Sequence, residues 1–103
     1  MGGSERKVAV GLIGTGAIGR LHARHLASRV PGAGLVAVAD VDRAAAEACA
    51  AECGGSRVHQ DYRDLVSDPA VEAVVIASPP DQHGEQIAAA AAAGKHVFCE
   101  KPL

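Results

Sequence analysis

Along this chain, short apolar runs alternate with stretches in which apolar residues recur every three or four positions. Residues 8–13 and 71–77 are nearly unbroken apolar segments rich in valine and isoleucine. That is the pattern of parallel strands covered on both faces. Residues 35–39 repeat it, residues 95–99 give a shorter version, and residues 57–59 form a brief third strand expected at an edge. Between them the period becomes helical. Gly19, Ala23, Leu26, Ala27 and Val30 form one stripe of a helix expected over residues 17–30, ended by Pro31-Gly32-Ala33-Gly34. An alanine-rich helix is expected over residues 43–53, with Asp42 as its N-cap and Gly54-Gly55 as its stop. A short helix over 61–66 closes at Ser67-Asp68-Pro69. A last helix runs to about Ala93, with His83, Ile87, Ala90 and Ala91 on one stripe and Gly94 as its cap.

Five strands alternating with four helices imply a parallel sheet with right-handed crossovers and helices on both faces. The expected fold class is α/β: a Rossmann-type, doubly wound sheet in the order 3-2-1-4-5, in a three-layer α/β/α sandwich. That order makes the first and fourth strands neighbours at the switch point, and ligands bind beyond the carboxyl ends of the strands there. Three unusual stretches fall at such ends: Gly14-Thr15-Gly16-Ala17-Ile18-Gly19, Ser78-Pro79-Pro80 and Glu100-Lys101-Pro102.

The glycine stretch follows a strand and opens a helix, as a dinucleotide-binding turn requires. Gly14 permits the sharp turn. Gly16, with no Cβ, lets a pyrophosphate approach the backbone. Gly19 lets the helix lie tight against the sheet. The helix N-terminus offers unpaired N–H groups and a partial positive charge to the phosphates. Asp40 lies 21 positions beyond Gly19 at the end of the second strand. A carboxylate there accepts hydrogen bonds from both ribose hydroxyls and repels a 2′-phosphate. Asp42 adds to that repulsion and outweighs Arg43, so NAD is favoured over NADP.

Composition narrows the alternatives. The 103 residues make one small domain, with residues 1–6 read as a disordered lead-in and 7–103 as the dinucleotide-binding domain. Apolar residues make up 49% of the chain, enough for a core, and so many are alanine that the layers should be closely spaced. A net charge of −2, no basic cluster, and Tyr62 and Phe98 as the only aromatics argue against nucleic acid. No apolar run reaches a membrane span's length, and a cytoplasmic location is expected. Cys49 and Cys53, four apart on one helix face, are read as small core residues and not as metal ligands. No metal is expected.

These same residues resemble the N-terminal nucleotide-binding domain of the glucose–fructose oxidoreductase / inositol 2-dehydrogenase (Gfo/Idh/MocA) family. The matches are the glycine stretch, Asp40, the Ser78-Pro79 turn followed by His83, and Glu100-Lys101-Pro102. The last is far more specific than the glycines. The resemblance implies cofactor contacts from Gly14, Thr15, Gly16, Ala17, Ile18, Gly19, Asp40, Ser78, Pro79, His83, Glu100 and Lys101. It also implies a catalytic role for Lys101, between the nicotinamide and the substrate hydroxyl, where a cationic donor stabilises a developing alkoxide. Glu100 would offset that charge or orient the lysine. Pro80 stands where the family commonly has asparagine. The implied activity is hydride transfer between NAD and a secondary alcohol of a sugar, polyol or related compound. The family's enzymes continue into a second α+β domain that supplies the substrate pocket and a proton-accepting histidine, so the chain reads as a cofactor domain without its substrate domain. None of the five histidines, His22, His25, His59, His83 and His96, is an obvious replacement for that histidine, and His83, which opens the helix after the fourth strand, has the better claim to the site. The competing reading is a non-catalytic nucleotide-binding or interaction module, and Glu100-Lys101-Pro102 argues against it. Self-association through an exposed fifth-strand edge is expected.

Overall fold

The computed structural model describes residues 7–28 and 31–99. The strands are β1 (Val8–Ile13), β2 (Ala33–Ala39), β3 (Arg57–His59), β4 (Ala73–Ile76) and β5 (His96–Cys99). The helices are α1 (Ala17–Ser28), α2 (Arg43–Glu52), α3 (Tyr62–Val66) and α4 (His83–Ala92), the last led in by a 3₁₀ turn at Pro80–Gln82. Among the described residues the strands form one parallel sheet in the order β3-β2-β1-β4-β5. The expected topology is the observed one.

Successive side chains of β1 serve opposite layers. Leu12 is fully buried with Val38, Ala23, Ala46 and Cys49 on the α1/α2 face. Ile13 packs with Leu65, Val74, Ile76 and Ala90 on the α3/α4 face. Gly11 has a packing reason to lack a side chain, because a Cβ there would lie 2.8 Å from Leu65 Cδ2. Alanine takes many of the buried positions on the two faces, among them Ala23, Ala37, Ala39, Ala46, Ala50 and Ala90. Cys49 and Cys53 are core residues; burial, reinforced by its neighbour Cys53, pushes the Cys49 thiol up to about 11, so it is inert.

Local chemistry sets the element ends. Asp42 caps α2 by accepting from the Ala45 N–H at 3.2 Å, and Asp61 caps α3 by accepting from the Arg63 N–H at 2.9 Å. After α2 the chain turns through Gly54 and Gly55, both at positive φ. Some boundaries differ from the sequence pattern. β2 starts at Ala33, because Ala33 and Gly34 already pair with Val8 and Ala9. Those weakly apolar residues carry no strand signal of their own. β4 starts at Ala73, since the Val71 N–H is taken by the Asp68 carbonyl in the preceding turn. On α1, Gly19 and Ala23 are buried and Leu26 half-buried, but Ala27 is exposed; Val30 lies outside the described residues. On α4 the buried positions are Gln86 and Ala90, and Ile87 is exposed.

At the β3 edge, the Asp68 carboxylate is buried. It accepts from the Ala70 N–H at 2.9 Å, from one Arg57 guanidinium nitrogen at 3.0 and 3.1 Å, and faces His59 Nε2 at 3.3 Å. Lys95 Nζ donates to the carbonyls of Asp68 and Val71 at 3.0 and 2.6 Å. This cluster ties the loop after α3 to both β3 and the start of β5.

Candidate functional site

A cleft of about 500 Å³ opens where β1 and β4 part, at the carboxyl ends of the strands. Its lining comes from four loops. Ile13, Gly14, Gly16, Ala17 and Ile18 form the floor. Ala39, Asp40 and Val41 line the cleft from the end of β2; Ala77, Ser78, Pro79, Gln82 and Gln86 from the β4 side; Gln60 and Tyr62 from the segment between β3 and α3.

The glycines divide the work of the turn. Gly14 sits at φ +98°, and a Cβ on it would lie 2.7 Å from the Ser78 nitrogen. Gly19 is packed against the turn itself: its Cβ would fall 1.9 Å from the Gly14 carbonyl oxygen. The tight approach expected between helix and sheet is thus first an approach of the helix to its own loop, with Ala77 behind at 3.7 Å. Gly16 is different. It lines the cleft, and a Cβ there would meet nothing within 4 Å. The space over Gly16 is therefore open to a ligand, beside the N-terminal turn of α1.

Asp40 stands beside the glycine turn, just past the end of β2. Its Oδ2 accepts from both the backbone N–H and the hydroxyl of Thr15, each at 2.8 Å, and its Oδ1 accepts from the Asp42 N–H at 2.9 Å. Partial burial pushes this carboxyl up, but the N–H groups of Asp42 and Thr15 and the Thr15 hydroxyl together hold it below the usual carboxylate range. A carboxylate offers about four acceptor positions. Three are in use, so one on Oδ1 remains for a ligand hydroxyl, and a second ribose hydroxyl would have to displace a Thr15 contact. Thr15 itself is buried and holds Asp40; it does not line the cleft.

On the β4 side the Ser78 hydroxyl donates to Gln86 Oε1, and the Gln86 amide donates to Gln82 Oε1 at 3.2 Å. His83 is not part of the lining. Its Nε2 lies 2.6 Å from the Ser78 carbonyl oxygen and its Nδ1 3.2 Å from Cys99 Sγ. Of the expected site residues, the structure thus brings Gly14, Gly16, Ala17, Ile18, Asp40, Ser78 and Pro79 to the cleft surface and sets Thr15, Gly19 and His83 behind it. Pro80 starts the 3₁₀ turn leading into α4. Glu100, Lys101 and Pro102 lie outside the described residues, as does the lead-in 1–6.

The sequence pattern missed Val41, Gln60, Tyr62, Gln82 and Gln86. Val41 carried a readable signal, being an apolar residue between two aspartates in a strand-end loop; it is 84% exposed. Gln86 carried none, since a buried glutamine in an alanine-rich helix looks like a surface residue. Among the described residues, no helix is long and apolar enough to cross a membrane, and no group of three or more side chains is placed to hold a metal ion.

A parallel sheet that opens at its switch point into a cleft lined by a glycine turn, with a carboxylate at the end of the neighbouring strand, defines a dinucleotide-binding domain of the Rossmann class. The comparison with known families is narrower: the chain belongs to the oxidoreductase family with an NAD-binding Rossmann fold (GFO_IDH_MocA), whose model matches residues 8–103. It is 49% identical over 100 residues to an inositol 2-dehydrogenase of Acidothermus cellulolyticus, covering 97% of this chain and 29% of that protein. It is 40% identical over 99 residues to a scyllo-inositol 2-dehydrogenase (NAD(+)) of Bacillus subtilis, covering 96% of this chain and again 29% of the relative. Among solved structures, the myo-inositol dehydrogenase of Lactobacillus casei in complex with NAD(H) and myo-inositol superposes with a TM-score of 0.89 at 40% identity, over 94% of this chain and 29% of the other. The chain therefore spans about three-tenths of the length of the relatives it matches.

Proposed function

We propose that this chain is the cofactor domain of an NAD-dependent oxidoreductase that interconverts a secondary alcohol and a ketone on a polyol or sugar. One observation carries the reading: the open space over Gly16 and the Asp40 carboxylate share a single cleft. The first fits a pyrophosphate, and the second fits a ribose hydroxyl while repelling a 2′-phosphate. The names of the relatives, inositol dehydrogenases, support a cyclic polyol as the substrate class.

When bound, the nicotinamide supplies the hydride acceptor. The chain's own residues bind, orient and balance charge. N–H groups at the start of α1 receive the pyrophosphate. Asp40 Oδ1 takes the remaining ribose hydrogen bond. Pro79 and Ser78 shape the wall toward β4. Lys101, beyond the end of β5, is assigned the role of stabilising the oxyanion as the substrate hydroxyl loses its proton, with Glu100 setting its charge balance. The cytoplasm is the proposed place of action.

Calorimetric titration of the chain with NAD and with NADP tests this. NAD is expected to bind in the micromolar to millimolar range and NADP more weakly. Tighter binding of NADP would overturn the role of Asp40.

A further inference from the structure

His83 does not line the cleft. It is half-buried at the start of α4, behind the cleft wall, and its two ring nitrogens join two strand ends. Nε2 lies 2.6 Å from the Ser78 carbonyl oxygen, at the exit of β4. Nδ1 lies 3.2 Å from Cys99 Sγ, at the last position of β5. A carbonyl oxygen only accepts, so Nε2 carries the proton; in a neutral ring Nδ1 is then the acceptor, and the Cys99 thiol donates. The direction of the chain Cys99 S–H to His83 to Ser78 carbonyl is thus fixed.

From this geometry we propose that His83 is a positioning residue, a clamp that holds the Ser78-Pro79 wall of the cleft in register with the end of β5. Both ends of the clamp are next to working parts. Ser78 and Pro79 line the cleft, and Ser78 also engages Gln86. Cys99 immediately precedes Glu100-Lys101 in the sequence. Ladder pairing joins these two strand ends only as far as Ile76 and Cys99, and the clamp carries the link on to Ser78. The effect on cofactor affinity rests on the functional reading above; the clamp itself does not.

The test uses the 103-residue chain and five forms: wild type, His83→Ala, His83→Gln, Cys99→Ala and the double variant His83→Ala/Cys99→Ala. Glutamine places an amide N–H near the position of Nε2, so it restores the link to Ser78. All affinities are measured where circular dichroism shows each form fully folded. His83→Ala is expected to weaken NAD binding by about tenfold, His83→Gln by no more than about threefold, and the double variant by no more than His83→Ala alone. Should His83→Ala fail to fold, His83→Gln and Cys99→Ala carry the comparison. Wild-type affinity in His83→Ala overturns the proposal. So does an equal loss in His83→Ala and His83→Gln, which would make the imidazole a direct ligand. A second measurement needs no cofactor: long-range ¹H–¹⁵N correlation of the imidazole is expected to show the Nε2–H tautomer, and an Nδ1–H tautomer overturns the clamp. If wild type binds no NAD, the functional reading falls. The clamp is then decided by that tautomer and by the Cys99 thiol, which should react several-fold faster with a thiol reagent in His83→Ala; an unchanged rate overturns it.

Discussion

Gly16 and Gly19 lie three residues apart, and alanine at each should do opposite things. At Gly19 the new Cβ would stand 1.9 Å from the Gly14 carbonyl oxygen, where separations under 3.0 Å are essentially never found. The helix or the loop must move by about 1.1 Å, the difference between those two values. The obstacle is backbone, so no rotamer relieves it. Overpacking of this kind costs about 1–3 kcal/mol, and a backbone obstacle puts it at the upper end. The helix propensity of alanine over glycine returns about 1 kcal/mol, leaving a net loss of about 2 kcal/mol. For a domain of this size each kcal/mol moves the melting temperature by about 4–8 °C, so Gly19→Ala should melt about 10 °C lower. At Gly16 a Cβ meets nothing, and φ is not positive, so Gly16→Ala should fold as well as wild type or slightly better. Its cost appears only with ligand: a methyl in the cradle should weaken NAD by at least about tenfold, and valine by more. Thermal melts followed by circular dichroism, with calorimetry on the same samples, separate the two effects. The reasoning fails if Gly19→Ala melts with wild type, or if Gly16→Ala binds NAD as tightly as wild type.

Two further outcomes follow. The Ala70 N–H, then His59 and Arg57, hold the Asp68 carboxyl below its ordinary value against the opposing effect of burial. Its contribution to stability is therefore complete above the unfolded value of about 3.9 and is lost as the pH falls from there through the folded value. Asp68→Asn should be less stable than wild type at neutral pH and should show a shallower loss below about pH 4; an identical acid profile in urea melts refutes this. On β5, Phe98 is 63% exposed and the strand has no outer neighbour among the described residues. The chain is expected to associate through that edge at high concentration, and Phe98→Asp to reduce the association; strictly monomeric light scattering of the wild type would count against it.

How much of this was legible beforehand differs from element to element. The parallel sheet followed from the alternation of apolar runs and helices, and its strand order from the glycine turn after the first strand, which marks the dinucleotide-binding topology. The expected cap Asp42 marks a true helix start, whereas Asp61, read as the first helical residue, is the cap of α3. The stripe of α4 misled because ten residues containing five alanines give almost no contrast between faces, so Ile87 drew the eye while Gln86 took the buried place. The start of β2 was hidden because pairing there depends on Val8 and Ala9, not on the side chains of Ala33 and Gly34. In the site, the glycines and Asp40 were readable because their chemistry is tied to fixed spacing. The roles of Thr15 and His83 were not, because both depend on contacts with residues 25 and 16 positions away.

The contact between Asp40 and Thr15 bears on how such a protein changes its cofactor. One carboxylate lines the cleft and also holds the amide and hydroxyl of Thr15 in the glycine turn. A lineage that gained a taste for a 2′-phosphate by exchanging Asp40 for a neutral or basic residue would at the same stroke leave a buried threonine hydroxyl and a backbone N–H without an acceptor. The first mutant would inherit a loosened loop before it acquired a new ligand. Selection would then favour routes that leave Asp40 in place and recruit a cation nearby, at Val41 or from Arg43, or that change Thr15 first.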